Sequence, residues 1–226
     1  MRILFVVLRA SVAVAIVAAV VAQLAASLRF WNERGIDNVG SQTVNFFSFF
    51  TVESNIAAAV VLAVGAVLLV VRPDPDSTVF SVTRASVVTY MVVTGLVYNL
   101  LLRGIDLPQG STVGWSNEVL HVVAPLYLLV DWLFAPGRSP IAARKIWIVL
   151  VFPLVWTAYT LVRGPFVEDQ VYGNPFWYPY PFLNPVTSAN GYLSVAFYVI
   201  LIAAVIGLVA AGVLWISRRR ATPLTR

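Results

Sequence analysis

Apolar residues run along this chain in long blocks broken by short polar punctuation. No Asp, Glu, Lys or Arg occurs in 10–28, 54–71, 85–102 or 170–217. A helix needs about 20 residues to cross the ~30 Å hydrocarbon layer. The blocks therefore predict an all-α fold of six transmembrane helices, at about 8–28, 45–71, 82–102, 117–135, 146–163 and 191–217, forming one domain over 1–226. The uncharged run at 10–28 exceeds the 7–15 residues usual in a signal-peptide core, so the first span is expected to be retained. The segments Arg72-Pro-Asp-Pro-Asp and Ala135-Pro-Gly-Arg-Ser-Pro read as turns and connectors, because proline cannot continue a helix.

Composition agrees with the pattern. Hydrophobic residues make up 60% and charged residues 11%, against about 25% charged in a soluble domain, which excludes an ordinary soluble protein. The net charge of +5 follows from an uneven distribution. With the N-terminus inside, Arg2, Arg9, Arg72, Arg84, Arg138, Arg144, Lys145, Arg218, Arg219, Arg220 and Arg226 fall on the cytoplasmic side, and Arg29, Arg34, Arg103 and Arg163 opposite. The positive-inside rule thus predicts both termini cytoplasmic, in a protein expected in the plasma membrane. The basic cluster at 218–220 reads as a membrane anchor and gives little reason to expect a nucleic-acid partner. With no cysteine and one histidine, disulfides, thiolate metal sites, iron–sulfur clusters and a bis-histidine haem within one chain are excluded, and neither a metal nor a cofactor is expected. The oligomeric state is not legible.

Polar residues collect at one depth. The second span carries Thr51, Glu53, Ser54 and Asn55 early, and the fourth carries Asn117, Glu118 and His121 early. The third and fifth run the other way and carry theirs late: Thr94, Tyr98 and Asn99, then Thr157, Tyr159 and Thr160. At 1.5 Å per residue, Thr51 lies ~9 Å and His121 ~6 Å past their expected helix starts, so the two are expected to face each other in one outer-leaflet layer. Asn99 and Tyr98 are expected to line the same cavity. Asn117, Glu118 and His121 share one helix face, and Pro125 frees the carbonyl of His121 from its helical partner. The inner halves, 57–71, 122–130 and 201–216, hold no charge. Asp131 is read as an interfacial residue or a partner of Arg138. Ionisable groups within a membrane face the bundle interior or a wet cavity and suggest function.

The last outer loop, within 164–190 and continuing to 192, has four prolines, seven aromatics and no charge over 172–192. It is too apolar to lie free in water and is expected to fold back over the outer mouth, with Trp177, Tyr178 and Tyr180 as lid or substrate wall.

Six spans, a threonine in Phe-Phe-Thr-Val-Glu-Ser-Asn, a histidine in Asn-Glu-Val-Leu-His-Val-Val-Ala-Pro and the loop Tyr-Gly-Asn-Pro-Phe-Trp-Tyr-Pro-Tyr-Pro-Phe-Leu-Asn-Pro resemble the bacterial Pr-six-Pr membrane proteins, themselves similar to the androgen-induced transmembrane hydrolases. The resemblance implies a threonine hydrolase that cleaves fatty acid esters of hydroxy fatty acids within the bilayer, with Thr51 as nucleophile and His121 as its histidine. The chemistry is coherent: a threonine hydroxyl needs a base, and a neutral imidazole is well suited to the task. An oxyanion would need fixed donors, and Asn55, Asn99, Tyr98 or Tyr159 stand at the right depth. Glu118 is placed to orient the imidazole or hold a water. The alternative is a noncatalytic protein whose polar layer binds or transports a lipid or other hydrophobic ligand.

Overall fold

The computed structural model describes residues 2–71, 75–105 and 110–219. Six of its helices are long and apolar enough to cross a membrane. They are α1 (Arg2–Glu33), α3 (Phe50–Val71), α4 (Thr78–Leu102), α5 (Gly114–Phe134), α6 (Ala143–Phe166) and α7 (Tyr192–Arg219). A short helix, α2 (Val39–Phe47), precedes α3. Among the described residues there is no strand, only an isolated antiparallel bridge between Asp169 and Asn174. The protein is an all-α membrane protein. Arg72, Arg220, Arg226 and part of the 72–76 turn lie outside the described residues.

Large apolar side chains such as Leu28, Val60, Val155 and Leu208 cover the outer faces. With lipid outside, little hydrophobic drive remains between helices, so packing and polar contacts must join them. The tightest pairing is α1 on α3. It admits one close approach: a Cβ on Gly65 would lie 2.9 Å from the Arg9 guanidinium.

That approach opens onto a charged layer in what sequence reading takes as the bare half of the bundle. Arg9 donates to both carboxylate oxygens of Asp131 at 2.8 and 3.1 Å, and to the Gly65 carbonyl at 2.8 Å. Arg84 donates to Asp131 at 3.0 Å and to Asp76 at 2.5 Å, with its guanidinium over the Trp132 ring. Asp131 is therefore a buried partner of Arg9 and Arg84, which corrects its reading as an interfacial residue or a partner of Arg138. Arg138 donates to the Trp132 carbonyl instead. Two positive and two negative groups in one contact network compensate each other, as burial demands. The connectors join this layer too, because the Asp76 amide donates to the Gly137 carbonyl at 2.6 Å.

Two prolines shape the bundle by one device. Proline has no N–H, so the carbonyl four residues earlier loses its donor, and a membrane supplies no water to replace it. Pro153 frees the Val149 carbonyl, and Tyr90 of α4 donates its hydroxyl there at 2.8 Å. Pro125 follows a π-helical stretch, Val119–Val123, in which the Ala124 amide donates to the Val119 carbonyl. Leu120 and His121 thus both lose their backbone donors. Asn55 of α3 donates to the Leu120 carbonyl at 3.1 Å, and Asn99 of α4 to the His121 carbonyl at 3.3 Å.

The expected second span of 45–71 is broken. α2 ends at Phe47 and α3 begins at Phe50, so Thr51 stands in the first turn of its helix rather than ~9 Å along it. Neighbours satisfy the break. Trp156 donates to the Ser48 carbonyl at 3.0 Å, and the Thr51 amide donates to the Tyr180 hydroxyl at 3.3 Å.

Candidate functional site

Thr51 and His121 line one cavity of about 50 Å³. Gln23, Ser116, Asn117 and Tyr180 are also in its wall. This is room for at least one water, which needs roughly 10–15 Å³ on the same measure. Among the described residues no hydrogen bond joins Thr51 to His121 directly. The Thr51 hydroxyl instead lies 3.3 Å from the Tyr180 hydroxyl. Burial pushes the Tyr180 phenol up to about 12, so it keeps its proton at neutral pH. Because it accepts from the Thr51 amide, that proton is left to donate toward the threonine oxygen or whatever binds beside it.

The imidazole is fixed from two sides. Its Nδ1 lies 2.9 Å from the Asn117 carbonyl, an acceptor, which assigns the proton of a neutral ring to Nδ1 and leaves the lone pair on Nε2. The Tyr98 ring stacks on it with centroids 3.8 Å apart and planes 21° apart. Tyr98 belongs to a π-helical turn at the end of α4, Tyr98–Leu102, and His121 to the π-helical stretch of α5. Each turn widens its helix where the two rings meet. The Asn117 amide donates in turn to the Tyr98 hydroxyl.

The remaining candidates fall in several places. Asn55 is fully buried and donates both amide hydrogens to carbonyls, at Thr51 (2.9 Å) and Leu120 (3.1 Å). Neither is left for an oxyanion. Asn99 is exposed and borders neither this cavity nor the neighbouring one. Its amide serves the Gly95 and His121 carbonyls. Tyr98 lines the neighbouring cavity. Tyr159 has its hydroxyl 3.0 Å from that of Ser48, at the break before Thr51. Glu118 forms an exposed ion pair with Arg103 at 2.8 Å. Both its oxygens accept from that guanidinium, so the groups that orient the imidazole are Asn117 and Tyr98.

The aromatic loop does fold back over the bundle: Trp177, Tyr178, Tyr180 and Leu183 are buried. Phe49 meets the edges of Trp177 and Tyr180 at centroid distances of 5.7 Å. Tyr180 and Thr51 together form the partition between the polar cavity and a second one of about 80 Å³. The second cavity is walled by apolar residues of α4, α6 and α7, among them Val93, Val97, Leu154, Ile202 and Ile206. A chemical group at Thr51 thus has a polar chamber with the imidazole on one side and an apolar chamber on the other.

Sequence reading misses two members of the polar wall. Gln23 of α1 donates to the Ser111 carbonyl at 2.7 Å and accepts from the Val113 amide at 2.9 Å. Ser116 donates to the Ala19 carbonyl at 2.7 Å. The available signal was an amide side chain inside an otherwise apolar first span. Among the described residues no three His, Asp or Glu side chains gather so as to hold a metal ion.

Comparison of the chain with protein-family models, with curated proteins and with solved structures finds no match.

Proposed function

We propose that this protein is an intramembrane ester hydrolase in which Thr51 is the nucleophile and His121 the general base. Its substrates would be lipid esters, of which fatty acid esters of hydroxy fatty acids are the class implied by the resemblance to the Pr-six-Pr proteins. The observation that carries the reading is the shared cavity, with the imidazole held by Asn117 so that Nε2 is the basic nitrogen. In this mechanism the Thr51 oxygen attacks the ester carbonyl while its proton passes to Nε2, directly or through one water. The alcohol leaves with that proton. Water, activated by the same imidazole, then releases the acid from Thr51. Tyr180 replaces the asparagines as the proposed oxyanion donor, because its hydroxyl is beside Thr51 and retains its proton. The apolar chamber takes an acyl chain, with the loop as its wall.

The charge asymmetry supports cytoplasmic termini, which would put this site in the outer half of the bilayer, and the resemblance supports a bacterial inner-membrane location. Arg144, Lys145, Arg218 and Arg219 at helix ends carry that reading. The second reading, a noncatalytic lipid carrier, is favoured by one observation: the Thr51 hydroxyl lies against Tyr180 and is not hydrogen-bonded to His121. Ester turnover by the purified full chain separates the two. His121→Ala should lower it by about 10²–10⁴-fold, Thr51→Ala similarly, and Thr51→Ser should retain measurable activity. No turnover by the purified chain would leave the carrier reading, and full activity in His121→Ala would overturn the role of the imidazole.

A further inference from the structure

A second polar cluster lies beneath the loop, apart from both cavities. Arg163, at the loop end of α6, donates through Nη2 to the Asn45 side-chain carbonyl at 2.6 Å. Asn45 donates to the Gln42 side-chain carbonyl at 3.4 Å. The guanidinium lies over the Trp177 ring at 5.3 Å and over the Tyr159 ring at 5.8 Å. Trp177 is held there because its backbone amide donates to the Gly164 carbonyl at 3.0 Å.

Both side-chain carbonyls of this cluster are occupied, yet three of its donors are not. Arg163 Nη1, Gln42 Nε2 and Trp177 Nε1 are buried atoms with no partner among the described residues. Gln42 and Trp177 are 1% and 2% exposed. No carboxylate pairs with Arg163 among the described residues, whereas Arg9 pairs with Asp131 and Arg84 with both Asp131 and Asp76. A buried donor without an acceptor is costly, and the half-buried Arg163 adds a cation with no carboxylate beside it. A water would supply an acceptor oxygen but no compensating charge. An oxyanion brings acceptors and the compensating charge together, and guanidinium is well matched to carboxylate and phosphate.

We propose that Arg163, Gln42 and Trp177 form a binding site for the oxyanion headgroup, carboxylate or phosphate, of an amphiphile. The headgroup would sit where α6 meets the loop. Its chain would run along the outer face of α6, where Val162 and Phe166 are 69% and 85% exposed. The site does not depend on the ester-hydrolase reading, since it involves neither Thr51 nor His121.

Native mass spectrometry of the full chain in neutral detergent tests it with four probes: oleate, oleyl alcohol, phosphatidylglycerol and inorganic phosphate. Retention of oleate or phosphatidylglycerol, with oleyl alcohol bound at least tenfold more weakly, is expected. Which of the two is retained tells a carboxylate headgroup from a phosphate one. Arg163→Gln should weaken retention at least tenfold, and Trp177→Phe, which keeps a ring and loses Nε1, severalfold. Thr51→Ala should leave it unchanged, so loss of hydrolysis and loss of this site are distinguishable. Equal retention of oleate and oleyl alcohol would overturn the proposal, as would unchanged binding in both Arg163→Gln and Trp177→Phe. Inorganic phosphate held as tightly as the amphiphiles would overturn the headgroup assignment. Glu53 has one unpartnered buried oxygen and provides a further check. If Glu53→Gln and Arg163→Gln lower thermal stability non-additively and neither alters retention, the two are an internal pair and the site is absent.

Discussion

Replacing Asn55 by alanine probes how the histidine segment is held. The substitution removes a fully buried amide that spans from α3 to the Leu120 carbonyl. That carbonyl has no backbone alternative, because the Ala124 amide serves Val119 and residue 125 is proline. Leaving a buried acceptor unsatisfied costs about 1–3 kcal/mol; interhelical hydrogen bonds in membranes average ~0.6 kcal/mol, so the expected cost is about 1 kcal/mol, at the low end of that range. Asn99→Ala should cost less, since Asn99 is exposed in the last turn of α4 and its bond to the His121 carbonyl is longer, at 3.3 Å. The diagnostic is a double-mutant cycle with Pro125→Ala, which restores an N–H within reach of the orphaned carbonyls. In that background the cost of Asn55→Ala should fall by at least about 0.5 kcal/mol, the size at which neighbouring sites couple measurably. Reversible unfolding in mixed micelles, followed by circular dichroism, supplies the four free energies. Additive costs, or a larger loss for Asn99→Ala than for Asn55→Ala, would refute the assignment of these two asparagines to the proline-freed carbonyls.

Two other outcomes follow from the geometry. Asp131→Asn removes the charge shared by Arg9 and Arg84 and should destabilise by about 3–5 kcal/mol in the same unfolding assay, whereas Glu118→Gln, at an exposed pair, should leave the midpoint unchanged. Tyr180→Phe keeps the ring packed against Phe49 and loses the hydroxyl beside Thr51; it should lower ester turnover by about 10²–10³-fold with little change in the apparent affinity for substrate.

The six membrane helices were legible because each is long and apolar enough to cross a bilayer, and that property is local. The fold-back of the loop was legible for the same reason: seven aromatics without a charge have few places to go. What escaped was everything set by partners distant in sequence. Arg9 and Asp131 are 122 residues apart, and an arginine near a helix end reads as an interfacial anchor until its neighbour is known. The break at Ser48–Phe49 carries no proline or glycine, and it persists because Trp156 and Tyr180 satisfy the backbone there. Depth placed Asn55 and Asn99 beside the histidine segment, where they donate to the Leu120 and His121 carbonyls, but neither is in the wall of the cavity that holds Thr51 and His121. Depth has no means of showing that their amides are consumed by carbonyls that Pro125 frees. Glu118 was drawn to His121 by spacing alone, whereas Arg103, at the end of the adjacent helix, claims it.

The central claim is that Thr51 carries out covalent chemistry with His121 as its base. Mapping the adduct left by a serine/threonine-directed fluorophosphonate on the full chain, by peptide mass spectrometry, tests it most directly. Modification is expected at Thr51, absent in Thr51→Ala and slowed by at least about tenfold in His121→Ala, where the proposed nucleophile has lost its proposed base. No adduct on Thr51, or one that forms equally fast without the imidazole, would contradict it.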